Sequence, residues 1–180
     1  MQLYVDGFPR SAKGRVCLFV ATAGGLGLSP FAPGTCGALL GVLMHGLIVL
    51  WLPPSATLAA LAVSLWAVCA ASYLLTPWAQ YYWQDPDPGH FVLDEVAGYL
   101  IVPLLFHHGA FWQQALWGFV LFRAYDMIKL PVARQIDERM HGAMGIILDD
   151  MVSGIYAVMT MFGIMWLGTR LGWQAWLIIP

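Results

Sequence analysis

Hydrophobic and polar positions fall in long separate blocks along this chain. Residues 16–84 contain no Asp, Glu, Lys or Arg, a stretch long enough for two membrane-crossing helices of about 20 residues each. The turn Pro53-Pro54-Ser55 divides it, so residues 36–52 and 58–78 are predicted to be transmembrane helices. Residues 151–167 form a third apolar run of spanning length. Residues 96–122 are also apolar, but His107-His108-Gly109 splits them into two pieces, each short for a crossing of about 30 Å. A helical hairpin dipping into the bilayer is predicted there. The expected fold class is therefore all-α: a polytopic helical integral membrane protein with about three full spans plus a hairpin, residues 1–180 forming one membrane-embedded domain.

Composition supports this reading. Of 180 residues, 60% are hydrophobic and only 10% charged, against a charged share of about 25% in soluble domains, and the mean hydropathy is +0.71. The formal net charge of -2 lacks the basic excess of a nucleic-acid footprint, so no nucleic-acid partner is expected. Cys17, Cys36 and Cys69 are odd in number and without C-x-x-C spacing, which points to neither a disulfide framework nor a zinc site. Gly25, Gly27, Pro30, Pro33 and Gly34 break the first apolar run, so no cleaved secretory signal is expected.

Charges sit in residues 6–15, 85–95 and 123–150, with Arg170 apart. Arg10, Lys13 and Arg15 before the first span place the N-terminus in the cytoplasm under the positive-inside rule. Two spans return residues 85–95 to that side, and the hairpin does the same for residues 123–150. All large charged clusters are thus expected to face the cytoplasm. Trp51, Trp78, Trp83, Trp112, Trp117, Trp166, Trp173 and Trp176 lie mostly near span ends, as interfacial anchors do.

Two acidic pairs carry the candidate chemistry. Asp94 and Glu95 sit in the apolar frame FVLDEVAGYLIV, where an ionised pair costs several kcal/mol unless a cation compensates it. Asp149 and Asp150 follow GAMGIIL and precede the last apolar run. A hard divalent ion such as Mg²⁺ takes carboxylate oxygens and keeps positions open for phosphate oxygens, and one cation could serve both pairs. The blander alternatives are a water-facing helix start favoured by the dipole for Asp94 and Glu95, and a helix N-cap for Asp149 and Asp150.

Between the pairs, FRAYDMIKL sets Arg123, Asp126 and Lys129 at i, i+3 and i+6 along one side of a helix. Two cations and an acid at a membrane interface suit the phosphate of a lipid head group, although the same spacing also makes a structural salt-bridge ladder. Arg134, Asp137, Glu138 and Arg139 read as a solvated face. Upstream, AGGLGLSPFAPGTCGALLG runs into the first span; amides and hydroxyls near Gly34 and Thr35, at a helix start near Thr35 or Cys36, could cradle an anion. Helix packing by small residues explains the same glycines. His45 reads as a satisfied core histidine. His90 and His141 lie near the acidic pairs and are candidate proton donors.

Taken together, LGLSPFAPGTCGALLG, FVLDEVAGYLIV, FRAYDMIKLPVARQID and HGAMGIILDDMVSG resemble, in order and spacing, the phosphatidylglycerophosphatase A family over roughly residues 22–157. The resemblance implies an all-helical, Mg²⁺-dependent phosphatase of the bacterial inner membrane that converts phosphatidylglycerophosphate to phosphatidylglycerol and inorganic phosphate. Matched by motif, the implied site residues are Thr35, Asp94, Glu95, Arg123, Asp126, Lys129, Asp149 and Asp150. One departure is visible. The family usually reads Lys-Pro-x-Pro after the central Asp, whereas Leu130, Pro131, Val132 and Ala133 follow Lys129 here, so the helix end after Lys129 is expected to differ.

The mechanism expected is metal-assisted hydrolysis at the cytoplasmic face. Asp94, Glu95, Asp149 and Asp150 would hold one or two Mg²⁺ ions, with Asp126 as a further ligand or water-orienting base. Asp94, Asp126 and Asp150 are the catalytic candidates. Arg123 and Lys129 would neutralise the phosphate, and Gly34 and Thr35 would bind its oxygens. An aspartyl-phosphate is the competing route, but Asp85-Pro86-Asp87-Pro88-Gly89 offers its acids in a turn and completes no D-x-D-x-T/V motif. The rival class is a small ion or metal transporter, which calls for acids near the middle of spans.

Overall fold

The computed structural model describes Pro9 and residues 11–172. Asp6, Arg10, Trp173 and Trp176, used above for orientation and anchoring, lie outside the described residues. All regular structure described is helical: α1 (Ala12–Ala21), a 3-10 turn at Leu26–Leu28, α2 (Pro33–Trp51), α3 (Pro54–Trp83), α4 (Leu93–Leu105), α5 (Phe111–Ile128), α6 (Pro131–Arg139) and α7 (Ala143–Leu171).

Local chemistry sets these boundaries. The Ser11 hydroxyl caps α1 by accepting from the Gly14 amide at 3.0 Å. Pro33 and Pro54 open α2 and α3 at positions where a missing N–H costs nothing. The α3 helix ends where Gln84 turns left-handed, just ahead of the Asp-Pro-Asp-Pro-Gly turn. Gly142, at φ 84°, is the N-cap of α7. The helix therefore starts eight residues before the apolar run that predicted it, and Asp149 and Asp150 lie about two turns inside it. The N-cap alternative for this pair is thereby excluded.

Three helices are long and apolar enough to cross a membrane: α2, α3 and α7. Large apolar side chains line their outer faces, Leu39, Leu43, Leu47 and Leu50 on α2 and Ile155, Met159, Phe162 and Trp166 on α7, all exposed. In water so continuous a stripe would be a liability; toward lipid it is the solvated surface. The predicted hairpin is present as α4 and α5, joined through residues 106–110 with Gly109 at φ 83°. His107 and His108 stack on each other in that turn.

Short α4 is the hub of the bundle. It contacts α2, α3, α5 and α7, and ten of its thirteen residues are buried. A helix apolar on every side belongs inside protein, which is why its 13 residues suffice without spanning. Tyr99 and Val102 pack with Ala38, Phe122, Ala157 and Met161 on one side, and Val96, Ala97, Leu100 and Ile101 with Leu61 and Leu65 on the other. His45 on α2 is buried and meets the Tyr99 hydroxyl at 3.1 Å through Nδ1, as a satisfied core histidine does. Glycines allow the close approach. A Cβ on Gly154 of α7 would overlap the Gly98 carbonyl and Ile101, and one on Gly98 would press on Phe122 and, at 3.0 Å, on Asp150 Cβ.

Gly154→Val is accordingly expected to lower the unfolding midpoint in detergent, with a loss of about 1–3 kcal/mol from overpacking. Gly163→Val on the same helix, where a Cβ meets nothing within 4 Å, is expected to leave the midpoint in place. Equal effects of the two substitutions would contradict the α4–α7 packing.

Candidate active site

The helices bring their charged ends to one end of the bundle. Asp94 and Glu95 are in the first turn of α4, Arg123 and Asp126 in the last two turns of α5, Asp149 and Asp150 in α7, and Asp87 in the α3–α4 connection. A cleft of about 90 Å³ is lined by Asp87, Asp94, Glu95, Asp126, Lys129, Asp149 and Asp150, together with Pro88, Gly89, Phe91 and Ile146. Six carboxylates thus face one lysine, with Arg123 beside them.

Asp94, Glu95 and Asp150 each offer an oxygen within 4.8 Å of the others. Asp94 and Asp150 are buried, and Asp94 Oδ1 and Glu95 Oε2 have no hydrogen-bond partner. A buried carboxylate oxygen without a donor is costly, so Asp94 is more than the water-facing start of a helix. Oxygen-only donors on converging carboxylates suit a hard divalent cation. These three are among the five expected ligands; Asp126 and Asp149 line the same cleft, each already bound to a cation.

Those cations work as clamps. The Arg123 guanidinium binds Asp126 and lies 3.9 Å from Glu95 Oε1. Lys129 Nζ donates to Asp149 Oδ2 and to Asp137 Oδ1, both at 2.8 Å. Burial works against the Lys129 charge, but these two carboxylates outweigh it and hold the ammonium above its usual pKa. The sequence spacing had set Lys129 on one helix face with Arg123 and Asp126. Instead α5 stops at Ile128, and Lys129 is its C-cap in left-handed backbone, φ 46°. Leu130 and Pro131 then start α6 at once, so the departure from Lys-Pro-x-Pro falls where the helix direction changes. Asp137, expected on a solvated face, is a partner of Lys129; Arg134 and Glu138 do form an exposed pair at 2.8 Å.

The glycine loop reaches the same end. Its helix starts at Pro33, with left-handed Ala32 as N-cap, earlier than Thr35. A Cβ on Gly34 would overlap Glu95 Oε1 and lie 3.1 Å from Arg123 Nη1, so this glycine brings the α2 N-terminus against the acids. Thr35 follows it in the first turn, half-buried, and is not among the cleft-lining residues. Neither histidine candidate lines the cleft: His90 Nδ1 meets the Gly27 carbonyl at 2.9 Å, and His141 is exposed between α6 and α7. Sequence reasoning passed over Asp87 because it sits in a turn. That turn is ordered by an Asp87 amide to Asp85 Oδ1 bond of 3.0 Å. Partial desolvation raises the Asp87 carboxyl above its ordinary range, against the opposing pull of Lys129.

A helical membrane protein with a carboxylate cleft at one end of its bundle is the class that fold and site define. The model of the family Phosphatidylglycerophosphatase A matches residues 19–165, and the chain belongs to that family. Among curated proteins it is 37% identical over 136 residues to Phosphatidylglycerophosphatase A of Escherichia coli, covering 76% of each chain. It is 34% identical to the Haemophilus influenzae protein of the same name, over 81% of this chain and 86% of that one. A Bacteroides thetaiotaomicron protein with the provisional name phosphatidylinositol-3-phosphatase is 33% identical, over 78% of this chain and 87% of its own. No solved structure matches the chain.

The two kinds of charge pair are expected to behave differently. Arg134→Ala, on the exposed α6 surface, should leave the unfolding midpoint unchanged. Arg123→Met strands Glu95 and Asp126 and should cost about 3 kcal/mol or more in low divalent ion. Denaturation of both variants in one detergent checks this; equal midpoints would remove Arg123 from its clamping place.

Proposed function

We propose that this protein is a lipid phosphatase that hydrolyses phosphatidylglycerophosphate to phosphatidylglycerol and inorganic phosphate, with Mg²⁺, at the cytoplasmic face of the bacterial inner membrane. The observation that carries the reading is the trio Asp94, Glu95 and Asp150 with its unpartnered buried oxygens, beside Arg123 and Lys129, in a chain of this family. At about 90 Å³ the cleft is on the scale of a phosphate head rather than of acyl chains, so a lipid substrate would insert its head and leave its tails in the bilayer.

Asp94, Glu95 and Asp150 would hold the ion, with Asp126 next to them. When bound, Mg²⁺ supplies positive charge against the phosphoryl oxygens and acidity to water. Arg123, already turned to this end of the cleft, neutralises phosphate charge that builds toward the transition state. The first-turn amides of α2 at Gly34 and Thr35, with the Thr35 hydroxyl, are near enough in the chain to bind further oxygens. Asp126 orients the attacking water and takes its proton. The new bond is from water oxygen to phosphorus, the bond broken is from phosphorus to the glycerol oxygen, and that oxygen leaves as a hydroxyl after taking a proton from solvent water, while the proton on the carboxylate returns to solvent. A transport role is less well supported, because the acids gather at one end of the bundle.

Phosphate release from phosphatidylglycerophosphate by the detergent-solubilised protein is expected to require Mg²⁺ and to fall to background in Asp150→Asn. Arg123→Ala is expected to lower turnover by roughly 10²-fold or more. Release from phosphatidylinositol 3-phosphate in preference would transfer the assignment to the chemistry named for the Bacteroides relative. No release under any divalent ion from folded protein would sink the phosphatase reading and favour transport.

A further inference from the structure

Lys129 is placed as a fixed cation, in a way that bears on how many metal ions the cleft takes. Its backbone lies in the left-handed region, φ 46° and ψ 83°, where glycine is at ease and a long side chain is strained. The chain nevertheless carries a lysine there. At the break between α5 and α6 its ammonium lies 2.8 Å from both Asp137 of α6 and Asp149 of α7. Asp87 lines the same cleft as Lys129. The second oxygen of buried Asp149, Oδ1, has no partner.

The cleft therefore has two acidic halves. In one, Asp94, Glu95 and Asp150 converge on a point with no side-chain cation between all three. In the other, Asp149 is held by the Lys129 ammonium, which also reaches Asp137 of α6, and Asp87 lines the cleft with them. Hydrolytic sites with two metals put a second ion a few ångströms from the first to stabilise the attacking and leaving oxygens together. Here a protein cation lines the same cleft as the trio and is bound to Asp149, the chain neighbour of Asp150.

We propose that Lys129 substitutes for a second metal ion, so that the cleft binds one divalent cation, at Asp94, Glu95 and Asp150, while Asp149 serves as the lysine's anchor. This rests on the reading of the cleft as a divalent-cation site. A lysine that only stapled α5, α6 and α7 together would have no effect on metal stoichiometry.

The test is a Mn²⁺ titration of the full chain in detergent after chelator treatment, followed by electron paramagnetic resonance. The wild type is expected to bind one Mn²⁺ per chain. Lys129→Gly removes the ammonium and also relieves the left-handed backbone, so it should fold, and it is expected to bind two Mn²⁺, a twofold rise. The second ion should give the broadened signal of a spin-coupled pair. Adding Asp149→Asn to Lys129→Gly is expected to return the count to one. Two ions bound to the wild type, or one bound to folded Lys129→Gly, would overturn the proposal. Loss of all binding in the wild type would instead overturn the divalent-cation reading beneath it. The wild-type count stands even if the variant does not fold.

Discussion

Carboxylates that repel each other must be held together at one end of a bundle whose sides are solvated by lipid. Asp94, Asp149 and Asp150 are buried, and an ionised carboxylate taken from water without a partner costs several kcal/mol. Two protein cations meet part of that cost. Arg123 draws Asp126 and Glu95 together, and Lys129 does the same for Asp137 and Asp149. The trio of Asp94, Glu95 and Asp150 is left with unsatisfied oxygens, and the proposed Mg²⁺ is the remaining counter-charge. Fold and chemistry meet at this point: converging buried carboxylates that are unfavourable on their own are the arrangement that would suit the proposed cation.

The rest of the architecture serves to bring those acids from separate helices to one place. A short central helix, α4, has its acidic first turn at the cleft and is enclosed on every side by α2, α3, α5 and α7. Gly98 and Gly154 let α7 approach it backbone to backbone, and Gly34 lets the start of α2 abut Glu95. A side chain at any of these positions would overlap its neighbour and force the helices that carry the acids to shift. The glycines near the site are therefore packing residues first, and through that packing they become part of the site.

Much of this was legible in the sequence. The charge-free block at residues 16–84 and the split apolar run at 96–122 indicated the spans and the hairpin, because lipid tolerates so few alternatives to the helix. Asp94 with Glu95, and Asp149 with Asp150, stood out as acids in apolar frames. What spacing could not supply was direction. Lys129 shares a helical face with Arg123 and Asp126 on paper, but the α5–α6 break rotates it onto Asp149. Asp87 and Asp137 were hidden in a turn and on a surface helix, where acids are ordinary, and only tertiary contact gives them a role. His90 and His141 failed for the opposite reason: they are near the acids in sequence but turned elsewhere in space.

The most direct test of the central claim is the unfolding midpoint of the intact protein in detergent, with Mg²⁺ and with a chelator, at matched ionic strength. A cation that binds only the folded cleft adds about 2.7 kcal/mol when present at 100 times its dissociation constant. The midpoint is expected to rise with Mg²⁺ concentration and to return when the ion is removed. An unchanged midpoint from chelator to millimolar Mg²⁺ would mean that the acids are stabilised without a divalent ion, and would contradict that claim.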